Sequence, residues 1–281
     1  MGACLARSGA PVTMVVRAAA LAEYPQQLQL ESPFGNFTAP VATSAGVPAC
    51  DVLWLTVKAT QLEESLAALK NPDAVGAIVP LLNGIDHLAF LRSRYGSERV
   101  IPATIAVESE RVAPGHIVHR SSFARLNVAS AGRALLASTL DALQKIGFES
   151  RFIEHEPTLM WSKLVFLGPF ALTTTASDKG TGEILSDPHW RDLGMACIRE
   201  ACAVAVAEGA QLKAEAVIAG LAKMPGNMRS SMQKDVEQGR PPELDAIAGP
   251  ILRGAERHQI DIPATRNLLA AVEKRVNAQR R

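Results

Sequence analysis

Apolar residues in the first half of the chain alternate between short β-rich runs and helical spacing, whereas in the second half they recur at helical spacing alone. The pattern predicts strands at Pro11–Arg17, Asp51–Lys58, Ala77–Leu82 and Val100–Val107, with helices at Gln61–Leu69 and His87–Tyr95 between them. Val52-Leu53-Trp54-Leu55-Thr56-Val57 is apolar on both faces, as a central parallel strand covered by helices would be. This β-α alternation argues for a doubly wound parallel sheet. From about Gly115 the texture changes: Ile117–His119 and Arg125–Ala129 read as shorter, antiparallel strands, Ala134–Ile146 as an amphipathic helix and Ser150–Ile153 as an edge strand. Beyond residue 155 only helices are predicted, at Thr158–Ala176, Asp192–Ala210, Lys213–Lys223 and Ala264–Asn277. An α/β domain over 1–155 followed by an all-helical domain over 156–281 is therefore expected. Ligands of open α/β sheets bind at the carboxyl ends of the strands, so the cleft between the two domains is the expected active site.

Composition narrows the class. The 281 residues are 48% apolar and 20% charged, which is the balance of a globular chain with room for two cores. A net charge of +1 gives no electrostatic reason to expect nucleic acid as a partner. No apolar run reaches the ~18 residues of a membrane span, and the start lacks the basic, apolar, small-residue order of a secretory signal. Cys4, Cys50, Cys197 and Cys202 show neither disulfide-framework nor zinc spacing, which suits a reducing cytoplasm. The expected partner is a small molecule. Oligomeric state stays open, a homodimer through apolar surface of the helical half being one option.

The opening Met1-Gly2-Ala3-Cys4-Leu5-Ala6-Arg7-Ser8-Gly9 reads as the second half of a dinucleotide-binding fingerprint, with Gly2 at the helix start. Arg17 closes the next strand, where a guanidinium pairs with a 2′-phosphate and favours NADP over NAD; an ordinary surface arginine reads the same way. Lys58 and Asn83-Gly84 end the two following strands, where an ammonium and an amide can meet phosphate or carboxylate, although Asn-Gly is first a turn signal. Lys163 sits in an apolar helical stretch, where it either snorkels to water or has its pKa lowered by desolvation. Ser230-Ser231 and Glu243 offer hydroxyls and a carboxylate, or merely a cap and a helix first turn. His116 and His119 lie three apart on a strand and point to opposite faces, which speaks against a metal site.

Taken in order, these segments resemble the ketopantoate reductase (2-dehydropantoate 2-reductase) family over nearly the whole chain. The resemblance rests on Met1-Gly2, Val12–Arg17, Val57-Lys58-Ala59-Thr60-Gln61, Leu82-Asn83-Gly84, Pro114–His119, Trp161-Ser162-Lys163-Leu164, Ser231-Met232 with Asp235, and Glu243-Leu244-Asp245. It implies a Rossmann-like domain that lacks its first strand and first two glycines, followed by a helical substrate domain. It also implies NADPH-dependent reduction of a 2-oxo acid in pantothenate and coenzyme A biosynthesis. Lys163 and Glu243 would be catalytic, with Lys163 as general acid; Asn83 and Ser231 would bind substrate; Gly2, Arg17, Lys58 and Asn83 would bind the cofactor, and no metal is involved. The incomplete glycine loop predicts weak cofactor binding and low stability for this chain, and motivates a competing reading as a non-catalytic relative. Leu167, Ala171 and Thr181 stand where family members carry asparagines, which makes a different branched or bulky 2-oxo acid the enzymatic alternative.

Overall fold

The computed structural model describes residues 1–279 as two compact units. The first comprises residues 1–57, 61–82 and 88–154; the second takes 155–279 together with two short segments from the first half, 58–60 and 83–87.

The first unit is a Rossmann-like α/β domain. Its elements run α1 (Gly2–Arg7), β1 (Thr13–Val15), β2 (Gln27–Glu31), β3 (Phe37–Pro40), β4 (Ala42–Ser44), β5 (Cys50–Leu55), α2 (Leu62–Leu66), β6 (Val75–Pro80), α3 (His87–Tyr95), β7 (Ala103–Ala106), β8 (Ser109–Ala113), β9 (His116–His119), β10 (Arg125–Ala129), α4 (Arg133–Gln144) and β11 (Glu149–Ile153), α3 starting from the second unit's His87. Two parallel pairs, β1-β4 and β5-β6, carry the doubly wound part, with Thr13 opposite Ala42 and Val52 opposite Ala77. The remaining strands form a mixed sheet β3-β2-β9-β8 and a three-stranded sheet β11-β10-β7. Leu28, Val79, Leu126, Leu136 and Leu143 are buried in one shared core. The β2–β3 hairpin stands between β1 and β4 where the doubly wound pattern would place a helix, and Leu28 and Leu30 alternate with exposed Gln27 and Gln29 to bury one face. The expectation that β5 is covered on both faces is corrected, because Val52, Leu53 and Trp54 are only part-buried. Among the described residues this strand pairs with β6 alone, and β1 belongs to a separate pair.

The second unit packs α5 (Glu156–Ser177), α6 (Thr181–Ser186), α7 (Pro188–Ala207), α8 (Ala214–Leu221), α9 (Ser231–Glu237), α10 (Leu244–His258) and α11 (Pro263–Gln279). Helix α5 is its axis. Trp161, Leu164 and Val165 join a core with Ile198, Val204 and Ile251, and further along Ala171 and Leu172 join a second core with Ile247 and Leu268. Asp187 caps α7 by accepting from the amides of His189 (3.1 Å) and Trp190 (3.4 Å), and Glu200 accepts from the Ala264 and Thr265 amides at the start of α11. Both α5 and α10 contain an internal Gly-Pro step, Gly168-Pro169 and Gly249-Pro250. Gly168 lets them approach: a methyl there would come within 3.0 Å of the Ile251 side chain.

All four cysteines are free thiols, and burial pushes Cys197 up to about 12 and Cys202 up to about 11. No helix among the described residues is long and apolar enough to cross a membrane.

Candidate active site

Lys163 lies in the second turn of α5, flanked by buried Trp161, Leu164 and Val165. Instead of snorkelling to water, its ammonium donates to Asn83 Oδ1 at 3.0 Å. Asn83 Nδ2 in turn donates to Glu243 Oε2 at 3.1 Å. The amide therefore joins the ammonium to the carboxylate, one end accepting and the other donating. Glu243 is the N-cap residue of α10, but its side chain does not cap that helix. It is 7% exposed, and its Oε1 accepts from the Ala59 amide at 2.7 Å. A carboxylate so enclosed needs such donors, because an unpaired buried charge is strongly unfavourable.

Burial pushes the Lys163 ammonium down from its ordinary 10.5 to about 8, with the Glu243 charge opposing the fall. His87, buried at the start of α3, is pushed down to about 4 by burial and by the Lys163 charge, so its imidazole is neutral at pH 7. Its Nε2 is buried without a hydrogen-bond partner among the described residues. A second ion-paired group lies in the same unit. Lys58 Nζ meets Asp235 Oδ2 at 2.8 Å, and Arg240 Nε meets Asp235 Oδ1 at 2.7 Å, with the Asp235 side chain 8% exposed.

Segments 58–60 and 83–87 thus enter the helical unit residue by residue, and they bring together Lys163, Asn83 and Glu243. Lys58, expected to bind the cofactor, has its ammonium paired with Asp235, and its side chain is 39% exposed. Ser230, not Ser231, caps α9, accepting from the Gln233 amide at 3.1 Å and from Thr174 Oγ1 at 2.7 Å. Ser231 is the exposed first residue of that helix. In the first unit, Arg17 is exposed where β1 ends and a 3-10 turn over Ala18–Ala20 begins. Gly2 opens α1, where a Cβ would make only ordinary contacts with Met14 and Leu28, so its geometry does not itself demand glycine.

Of the positions expected to shape a substrate pocket, Leu167 is part-buried, one turn beyond Lys163. Ala171 is fully buried in the helical core, and Thr181 is buried with its hydroxyl donating to the Met228 carbonyl at 3.1 Å. An apolar cavity lined by Phe166, Phe170, Ile184, Leu185 and Leu221 follows the same stretch of α5. His116 and His119 have separate partners, Glu31 for the first and Ser32 with Ser121 for the second. No group of three or more metal-binding side chains occurs among the described residues. Sequence reasoning gave no role to the Ala59 amide, the Asp235 carboxylate or His87, although Ala59 and Asp235 lie in segments that carry the resemblance and His87 opens a clear helical pattern.

A family model described as ketopantoate reductase PanE/ApbA matches residues 1–132, and its C-terminal counterpart matches residues 158–276. The 2-dehydropantoate 2-reductase of Caulobacter vibrioides is 31% identical over 263 residues, covering 87% of this chain and 85% of its own. Among solved structures, the ketopantoate reductase of Ralstonia eutropha has a TM-score of 0.86 at 24% identity, covering 100% of this chain and 95% of that one. D-Mandelate dehydrogenase, solved with NADH and anilino(oxo)acetate, has a TM-score of 0.85 at 21% identity, with the same coverage. At those identities the two structures share the fold.

If the Glu243 charge supports the Lys163 ammonium, Glu243→Gln must lower its pKa further below 8. Carbon-13 NMR of the dimethylated lysines, with Lys163 assigned by its loss in Lys163→Arg, reads that midpoint directly. A midpoint unchanged by the substitution refutes the coupling.

Proposed function

The chain belongs to the ketopantoate reductase family, and from that premise we propose that it reduces the C2 carbonyl of a 2-oxo acid with NADPH, 2-dehydropantoate being the substrate. The observation that supports this most directly is the Lys163–Asn83–Glu243 hydrogen-bond chain.

An ammonium has three donors, and Asn83 takes one, leaving others for a substrate carbonyl oxygen. As that oxygen gains negative charge during reduction, Lys163 stabilises it and gives up a proton as general acid. A pKa near 8 suits the task, since the group is charged at neutral pH yet not far from releasing its proton. Glu243 uses one lone pair on each oxygen for Ala59 and Asn83, so acceptor capacity remains for a substrate hydroxyl. Asn83 keeps the two charged groups in register, and Ser231 is assigned to the substrate carboxylate. The donor chemistry at the end of β1 fits a dinucleotide: Arg17 would hold the adenosine 2′-phosphate, with Gly2 at the pyrophosphate. NADPH, when bound, supplies the hydride. Assembly as a homodimer belongs to the same proposal; a Staphylococcus aureus ketopantoate reductase of this fold is described as dimeric.

Leu167, part-buried one turn beyond Lys163, favours a second reading, in which the substrate is another branched or bulky 2-oxo acid.

With cofactor bound, three outcomes are expected. Lys163 carries its proton below pH 8 and loses it above, so kcat/KM for reduction should be level at low pH and fall about tenfold per unit above about 8, with 2-hydroxy acid oxidation rising over the same range. Lys163→Met should remove that limb and lower kcat/KM by about 10²–10⁴-fold while the NADPH Kd stays within about twofold. Reduction that stays level to about pH 9.5, or a Met variant close to normal, eliminates Lys163 as the acid. Arg17→Ala should weaken NADPH about tenfold or more and leave NADH unchanged, since only NADPH carries the 2′-phosphate; equal losses show that Arg17 does not select the cofactor. Finally, kcat/KM for 2-dehydropantoate compared with phenyl- and branched-chain 2-oxo acids separates the two substrate readings: a preference for the bulkier acids overturns 2-dehydropantoate.

A further inference from the structure

Asn83 can join Lys163 to Glu243 only if its turn is held in one place, and the structure shows an unusual support beneath it. Gly84 has φ +82°, a left-handed conformation that side chains resist. A Cβ added there would collide with the carbonyl oxygen of Ala246 in the first turn of α10. That carbonyl is the one to which residue 250 would ordinarily donate within the helix. Residue 250 is Pro250, which has no N–H to give. Helix α10 therefore leaves one carbonyl without its usual donor, and the Cα of Gly84 packs against it. The same helix begins at Glu243, three residues earlier, so one turn of α10 presents both the carboxylate that Asn83 bonds and the oxygen on which Gly84 rests. Arg253 adds a clasp on the same segment, donating to Asp245 at 2.8 Å and pairing with Asp86.

We infer that Pro250 and Gly84 are positioning residues: the Ala246 carbonyl released by Pro250 seats the Asn83-Gly84 turn and thereby fixes Asn83 between Lys163 and Glu243. The physical consequence concerns the acid. Asn83 Oδ1 accepts from the charged form of Lys163, so displacing it removes support for that form and lowers the pKa. The titratable groups that face Lys163 are Glu243 from α10 and His87 from the 83–87 segment, and Pro250 touches the charge of neither.

Pro250→Ala restores an amide that draws the Ala246 carbonyl back into the helix, and alanine is the better helix former. The variant should therefore melt no lower than the parent. Its Lys163 midpoint, read by carbon-13 NMR of dimethylated lysine, should fall by about 0.5 unit or more. kcat should fall by about tenfold while KM changes little, because the misplaced group acts in the chemical step. Gly84→Ala, which displaces the same turn from the other side, should show the same fall in midpoint. A Pro250→Ala midpoint within about 0.2 unit of the parent overturns the inference, as does a loss of kcat matched by a lower Tm. The inference rests on the reductase reading for its kinetic readout alone. A parent protein that titrates normally but reduces no 2-oxo acid defeats the reductase reading, and the NMR midpoints still decide the roles of Pro250 and Gly84.

Discussion

A carboxylate enclosed by protein must be met by donors, and in this chain the donors that meet Glu243 come from more than 150 residues away: the Ala59 amide at a separation of 184 and the Asn83 amide at 160. Ammonium and carboxylate never touch directly. Interposing a neutral amide lets the two charges stabilise each other while leaving part of each free for a ligand, whereas a direct ion pair would consume the donors and acceptors that chemistry needs. The Lys58–Asp235–Arg240 group ties the neighbouring segment to α9. Placement of the Lys163 ammonium and the acceptor capacity left on Glu243 descend from this arrangement, while burial sets the fall in the Lys163 pKa.

The two helices that carry the charged groups are built alike. Lys163 precedes Gly168-Pro169 on α5, and Glu243 precedes Gly249-Pro250 on α10. Proline in a helix interior costs a hydrogen bond and is usually disfavoured. Here the small residue beside the first proline permits close packing against Ile247 and Ile251, and the missing amide of the second leaves a carbonyl facing Gly84. Residues that weaken a helix in isolation thus contribute contacts on the two helices that carry Lys163 and Glu243.

Much of the architecture was legible in the residue pattern. His87–Tyr95 and Arg125–Ala129 fall where periodicity puts them, and α5 and α7 differ from expectation only at their ends. Helix α10 was not read, because Gly249-Pro250 is a breaker signal and only tertiary packing overrides it. The β2–β3 hairpin also escaped, since Leu28 and Leu30 are a thin alternation in a polar run. At the site, the residue types were visible but their partners were not. Lys163 in an apolar stretch suggested either snorkelling or a lowered pKa, and the choice depends on Asn83, 80 positions earlier. Lys58 at a strand end can meet phosphate or carboxylate, and its pairing with Asp235, 177 positions on, has no local mark in the sequence. Ser230 and Ser231 are chemically equivalent in sequence; the start of α9 separates them into a buried cap and an exposed hydroxyl.

Segments 58–60 and 83–87 belong by chain position to the α/β half and by packing to the helical half. A polypeptide cut at residue 155 would therefore retain Lys163, Ser231 and Glu243 yet lose the amide of Ala59 and the side chain of Asn83 that join them. The helical half is not an interchangeable cassette: recombination at that boundary would exchange the amides that join Lys163 to Glu243 and the ammonium that pairs with Asp235. A homologous exchange could preserve the chemistry only by moving both strand-end loops along with the helices.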